Sequence, residues 1–238
     1  MSGGFIWYEL MTDDVAAAAA FYARVVGWRA VDSGLPGPGY RYLNVAGENV
    51  GGLMQLPAEA RSAGARPAWY PYLRVGDVAT SVAAICADGG TAFMPPTDIP
   101  GVGRFAMLAD PQGAAFYVMA PAGEGASRSF DPRLGGHCGW NELRTPDPVA
   151  AEAFYVRHFG WGEAGEMPAA FVAADGVARA QWRCAFNVDD IDAAARRLRA
   201  AGGEALEGLR QVRSGAWLLP ARDPQGALFG LIGASWGD

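Results

Sequence analysis

The sequence predicts an α+β protein built from four βαβββ modules, and three observations carry that expectation. Residues 7–28, WYELMTDDVAAAAAFYARVVGW, return at 140–161 as WNELRTPDPVAAEAFYVRHFGW, with 13 of the 22 positions identical. Asp-Pro-Gln-Gly occurs at 110–113 and again at 223–226, each time just before an apolar run. Trp69 and Trp182 stand 113 residues apart, as do the two turn aspartates, whereas Trp7 and Trp140 stand 133 apart, as do Trp28 and Trp161. Fixed offsets of this kind mark duplication. The two offsets differ by a deletion between Trp161 and Trp182, so the third module is expected to lack part of its strand region.

Each element follows from local chemistry. Residues 5–11 form a short apolar and aromatic run that fits a strand. Thr12, Asp13 and Asp14 supply oxygens for a helix start. Ala18, Phe21, Tyr22 and Val25 then recur at helical spacing, Gly27 suits a left-handed helix end, and Trp28 opens the next strand. A turn at 34–39 (GLPGPG) leads to the strands YRYLNVAG and VGGLMQLP. Residues 58–68 read as a connector. The second module starts at Trp69 with an aromatic strand, a helix start at Asp77, and strands from Phe105 and Ala114 joined by the first Asp-Pro-Gln-Gly turn. The Pro/Gly/Ser-rich stretch PAGEGASRSFDPRLGG separates the halves. The expected organisation is therefore a domain at 1–122 (modules 1–57 and 69–120), a linker at 123–136, and a domain at 137–238 (modules 137–181 and 182–235).

Composition narrows the function. Hydrophobic residues make up 51% and charged residues 18%, which implies a folded core. A net charge of −6 without a basic stripe argues against nucleic-acid binding. All 19 basic residues are arginine, so lysine-based Schiff-base chemistry is excluded. No apolar run reaches membrane-spanning length and the N-terminus lacks a signal pattern, so a cytoplasmic protein without a membrane partner, monomeric or homodimeric, is expected. Cys86, Cys138 and Cys184 show no CxxC spacing and read as free or buried thiols. GxSxG, HExxH, a lysine phosphate loop and a dinucleotide fingerprint are all absent.

Four βαβββ modules, the blocks DDVAAAAAFYARVVGW and DPVAAEAFYVRHFGW, and the two DPQG turns resemble the vicinal oxygen chelate superfamily, the group of glyoxalases, bleomycin-resistance proteins and extradiol dioxygenases. That resemblance covers nearly the whole chain. It implies two glyoxalase-like domains, each a pair of modules curled into an incomplete barrel around a cup. It also implies metal-ligand slots: a His or Gln on a module's first strand and a Glu on its last. The first-strand slots here hold Trp7, Tyr70, Trp140 and Arg183, and the last-strand slots hold Tyr117 and Gly230. None is a good ligand for a divalent cation. No cofactor is therefore expected. A divalent metal would have to be held without the usual ligands.

Strand alternation places Glu9 with Trp7 and Met11, and Glu142 with Trp140 and Arg144. If the first-strand slot faces the cup, as the resemblance implies, both glutamates do too. Glu9 and Glu142 are accordingly the candidate catalytic residues, suited to proton transfer, with fixing of the module packing as the competing role. Trp7, Tyr70, Tyr72, Tyr117 and Trp140 are the candidate ligand-binding residues, because aromatic walls suit a planar small molecule, although the same rings could fill the cups. Arg144 is placed to meet Glu142 or an anionic ligand. Of the two histidines, His158 reads as a packed helix residue and His137 as a solvated one beside the linker. The expected function is small-molecule binding, in resistance or detoxification, without the usual metal site. The alternative is a glyoxalase-like lyase, isomerase or dioxygenase with a non-standard metal or a glutamate-based site.

Overall fold

The computed structural model describes residues 3–35, 39–123, 125–162, 167–174 and 179–234. The first module runs β1 (Phe5–Thr12), α1 (Val15–Val25), β2 (Arg29–Asp32), β3 (Arg41–Val45) and β4 (Glu48–Gln55). A short helix, α2 (Ala58–Ser62), occupies the expected connector. The second module runs β5 (Ala68–Arg74), α3 (Val78–Ala87), β6 (Thr91–Ile99), β7 (Gly103–Ala109) and β8 (Ala115–Pro121). The third has β9 (Cys138–Thr145), α4 (Pro148–Phe159) and β10 (Ala170–Ala173). The fourth has β11 (Gln181–Asp190), α5 (Ile191–Ala200), β12 (Glu204–Ala205), β13 (Arg210–Gln211), β14 (Trp217–Arg222) and β15 (Leu228–Ala234). Among the described residues the third module keeps two strands where the first has four, as the deletion requires. The centre of the expected 34–39 turn and residue 235 of the last module lie outside the described residues.

The four module helices start in the same way. Asp14, Asp77, Asp147 and Asp190 each accept, through a side-chain oxygen, the N–H of the residue three positions on: Ala17 at 2.9 Å, Thr80 at 2.7 Å, Ala150 at 3.0 Å and Ala193 at 2.9 Å. Each bond satisfies an amide that the helix itself leaves without a partner. Gly27 (φ 94°) follows α1, and Gly160 (φ 68°) ends α4, both in the left-handed region expected of them.

The strands form two open sheets. One has eight strands in the order β2-β3-β4-β1-β5-β8-β7-β6; the other has seven, in the order β10-β9-β11-β15-β14-β12, with β13 beside β14. The expected spans 1–122 and 137–238 each hold one sheet. Compaction groups the chain differently. One compact unit comprises Met1–Trp7, Tyr70–Ser127 and Asn141–Arg183, essentially the second and third modules; the other comprises Tyr8–Trp69, Arg128–Trp140 and Cys184–Asp238, essentially the first and fourth.

Within each unit the repeated residues interlock. In the unit of the first and fourth modules, Tyr22 donates its hydroxyl to Asp223 Oδ2 at 3.1 Å and accepts the Trp69 indole N–H at 2.9 Å. Asp223 Oδ1 takes the amides of Gln225 and Ala227, both at 2.9 Å, and so shapes the turn. Gln225 bonds Asp14 reciprocally: its Nε2 donates to the Asp14 carbonyl at 2.8 Å and its Oε1 accepts the Asp14 N–H at 2.6 Å. The unit of the second and third modules repeats this with Tyr155, Asp110, Trp182, Gln112 and Asp147.

The helix-ending indoles close a second pair of links. Trp28 donates to the Gly136 carbonyl at 2.7 Å in one unit, and Trp161 to the Gly3 carbonyl at 2.6 Å in the other. Gly3 and Gly136 are themselves 133 apart, so the duplication reaches further than the 22-residue block. Gly3 has φ 92°, and a Cβ there would stand 2.0 Å from the Phe159 carbonyl oxygen; both facts require glycine.

Candidate ligand-binding faces

Packing on the helices decides which sheet face is left for a ligand. In the unit of the second and third modules, Phe116, Phe171 and Trp182 all lie against Tyr155 of α4, with ring centroids 5.6, 5.8 and 5.2 Å away. Their strand neighbours Tyr117, Ala170, Val172 and Arg183 therefore point the other way, because side chains alternate along a strand. Residues paired across strands share a face. Tyr72 pairs with Tyr117, Phe105 with Met119, and Glu142 and Arg144 with Ala170 and Val172, so all of these belong to the faces turned away from α4.

On one such face the rings form a wall. Tyr72 and Tyr117 stack with centroids 4.2 Å apart and planes 13° apart. Phe105 lies beside both, 6.5 Å from Tyr72 and 5.9 Å from Tyr117, and Tyr70 meets Tyr117 edge-on at 6.3 Å. The structure thus brings Tyr70, Tyr72 and Tyr117, all buried, together on one face and adds Phe105. Phe105 shares a face with Met107 in FAMLA, an alternation already visible in that strand.

On the other face Arg183 Nη1 lies 3.3 Å from Glu142 Oε2, with the two side chains 2% and 1% exposed. Arg183, which holds the fourth module's metal-ligand slot in the resemblance, thus donates to the expected catalytic glutamate. Arg144 follows on the same face, half-buried. Among the described residues it makes no hydrogen bond or ion pair. Trp7 is half-buried at the end of this unit's first segment.

Glu9 and Trp140 belong to the unit of the first and fourth modules. Tyr8 packs on Phe186, which in turn packs on Trp28 and Trp69, so Glu9 is on the opposite face, paired with Gly52 and 4% exposed. Trp140 is half-buried against a cluster of Ala185, Val212, Leu218 and Ile232, with Ala216 beside it. Two clefts of about 270 and 250 Å³ open in this unit. None of the expected site residues lines either, but the second shares Ala216 and Ile232 with the Trp140 cluster.

His137 is buried, not solvated: it is 4% exposed, with Nδ1 2.5 Å from the Arg128 carbonyl and Nε2 3.9 Å from Glu48 Oε2. The linker folds back over it, a contact that its place in the sequence does not reveal. His158 is held at 2.9 Å from Asp88 Oδ2, a packing role as expected. Burial pushes the Cys138 thiol up to about 12 and raises that of Cys184, so neither supplies a thiolate at neutral pH. Among the described residues no three His, Cys, Asp or Glu side chains converge in a way that could hold a metal ion. The donor set fits poorly with a divalent cation, and at the fourth module's slot the side chain is itself a cation.

Comparison with known proteins agrees with this architecture. The glyoxalase-like domain family matches residues 8–119. CFP32 of Mycobacterium tuberculosis, provisionally described as a glyoxylase, is 32% identical over 249 residues, covering 95% of this chain and 93% of that protein. The chain belongs to the glyoxalase-like proteins of the vicinal oxygen chelate superfamily. This glyoxalase-like chain is also similar to the anthracycline biosynthesis protein DnrV of Streptomyces peucetius, 31% identical over 261 residues, with 97% of this chain and 93% of that protein covered. Among solved structures, the Mn(II)-bound glyoxalase from Novosphingobium aromaticivorans aligns with a TM-score of 0.64 at 18% identity, over 98% of this chain and 81% of that one. The 2,3-dioxygenase LapB from Pseudomonas sp. KL28 aligns with a TM-score of 0.66 at 14% identity, over 99% and 94%. At such identities the two structures establish the shared fold.

Proposed function

We propose that this glyoxalase-like chain binds a small, flat aromatic molecule and does so without a metal ion, in sequestration, detoxification or a biosynthetic step. The Tyr72–Tyr117 stack, flanked by Phe105 and Tyr70 on a face turned from the helices, carries this reading. An aromatic ring's preferred partner is another flat ring; Tyr70, Tyr72 and Tyr117 are themselves buried, so binding requires the wall to open. The residues at the metal-ligand slots, aromatic or cationic, support the metal-free part. The similarity to a protein named for anthracycline biosynthesis supports a polycyclic aromatic ligand. The site is assigned to a cytoplasmic monomer or homodimer. Tryptophan-fluorescence titration against aromatic metabolites, cationic antibiotics and aldehydes tests the reading: saturable binding to members of the first group supports it, and silence across all three refutes it.

A second reading has its own observation. Glu9 and Glu142 are both buried on faces away from the helices, where a carboxylate can serve as a base or ligand in a lyase, isomerase or dioxygenase. Elemental analysis of the purified protein distinguishes the two. A stoichiometric transition metal lost on Glu9→Gln favours a metal-dependent enzyme, and for a metal-free glutamate base Glu9→Gln should abolish turnover without lowering stability.

A further inference from the structure

We propose that the face carrying Glu142, Arg144 and Arg183 is a second recognition site, specific for a small molecule that bears a carboxylate or an equivalent oxyanion, and that Arg144 is the residue that reads the charge. The inference rests on the reading of the outward sheet faces as ligand-binding surfaces and adds to it a ligand class and a residue.

The duplication supplies the argument. Offset by 133, Glu142 corresponds to Glu9 and Arg144 to Met11; offset by 113, Arg183 corresponds to Tyr70. Two positions that are neutral in the first half have become cationic on one face of the second half. A fold that accepts Met and Tyr at these places does not need the charges for stability, and burying an ion pair is a poor way to gain stability. Glu142 neutralises Arg183 at 3.3 Å, in a place where both are almost fully enclosed. Among the described residues one positive charge is left over on this face, on Arg144, two residues from Glu142 along β9 and so about 7 Å away.

The surroundings suit a guest. Beside Glu142 and Arg144 the paired strand presents only Ala170 and Val172. Arg144 is half-buried, so it is partly desolvated while still open to a ligand. A guanidinium offers two parallel N–H groups that match a carboxylate, and partial burial strengthens the bond. Glu142 contributes selectivity as well: by holding Arg183 it leaves Arg144, among the described residues of this face, to meet the ligand, which favours a monoanion.

Isothermal calorimetry with 2-naphthoate and its neutral isostere 2-naphthamide tests the proposal. Wild-type protein is expected to bind the acid at least about tenfold more tightly than the amide, the scale of one charge-assisted contact. Arg144→Met, which installs the residue the first half already carries, is expected to erase that ratio, and Arg144→Lys to keep part of it. Equal affinity for the two probes in wild type, or a ratio that survives Arg144→Met, overturns the proposal and leaves the aromatic-binding reading standing. Failure of both probes to bind overturns this proposal and the reading beneath it together.

Discussion

The Tyr22 hydroxyl donates to Asp223 Oδ2 at 3.1 Å across 201 positions of sequence, and with it the first module is tied to the fourth. Trp69 donates to the same hydroxyl, so its oxygen is engaged from both sides in a fully buried setting. Tyr155, Asp110 and Trp182 repeat the arrangement. The repeated tyrosines, tryptophans and turn aspartates of these two circuits therefore hold pairs of modules together.

Removing one hydroxyl from this circuit is expected to be costly. Tyr22→Phe leaves the Trp69 N–H and one Asp223 oxygen without their buried partner, which costs about 1–3 kcal/mol. Denaturant unfolding should show a lower midpoint with an unchanged slope. A midpoint equal to that of the wild type would mean that the turn, not the tyrosine, holds the modules.

The two turn aspartates give stability a pH dependence. Burial raises the pKa of both Asp110 and Asp223 above 3.8, against the lowering effect of their amide hydrogen bonds. A raised carboxyl binds its proton more tightly in the native state than in the unfolded chain. Its contribution is complete below pH 3.8 and is lost as pH rises through the native pKa. Unfolding measured across the acid range should show this falling component, and Asp223→Asn should flatten its share. An identical pH profile in wild type and variant would contradict the assignment.

Gln112 is expected to matter more than its half-buried place in a turn implies. Its Nε2 donates to the Asp147 carbonyl at 2.8 Å, while its Oε1 accepts the Asp147 N–H at 2.8 Å and the Thr145 hydroxyl at 2.7 Å. Gln112→Ala removes all three bonds and should cost about 1–2 kcal/mol, moderated by solvent access. Thermal unfolding of this variant beside Gln225→Ala checks it, since both turns use the same device.

The Glu142–Arg183 pair should behave as a buried ion pair with a job other than stability. Glu142→Gln removes the carboxylate charge 3.3 Å from the buried Arg183 guanidinium and is expected to destabilise the protein by about 3–5 kcal/mol. Replacing both, with Glu142→Leu and Arg183→Met, should recover most of that loss. Denaturant unfolding of the single and double variants forms the cycle. A double variant no more stable than Glu142→Gln would make the pair structural.

Much of this molecule could be read from its sequence because the signals are local. Asp14 and Asp77 announced their helices by position alone, and the smaller number of strands among the third module's described residues followed from two unequal offsets. Pairing was not readable: with four similar modules, nothing in the chain says that Tyr22 meets Asp223 and not Asp110. The partner of Glu142 was hidden for a similar reason, since Arg183 becomes its neighbour only when β9 and β11 enter one sheet. His137 was misjudged because its burial depends on a linker carbonyl, that of Arg128. Phe105 was overlooked although its strand alternates clearly.

The central claim is that an aromatic face binds its ligand without a metal. Its most direct test is a calorimetric titration of one aromatic ligand, found by the fluorescence screen, into native protein, chelator-stripped protein and Tyr117→Ala. The account predicts the same affinity in the first two and a loss of about tenfold or more in the third. Binding that disappears on stripping and returns with added metal, while Tyr117→Ala binds normally, would contradict it.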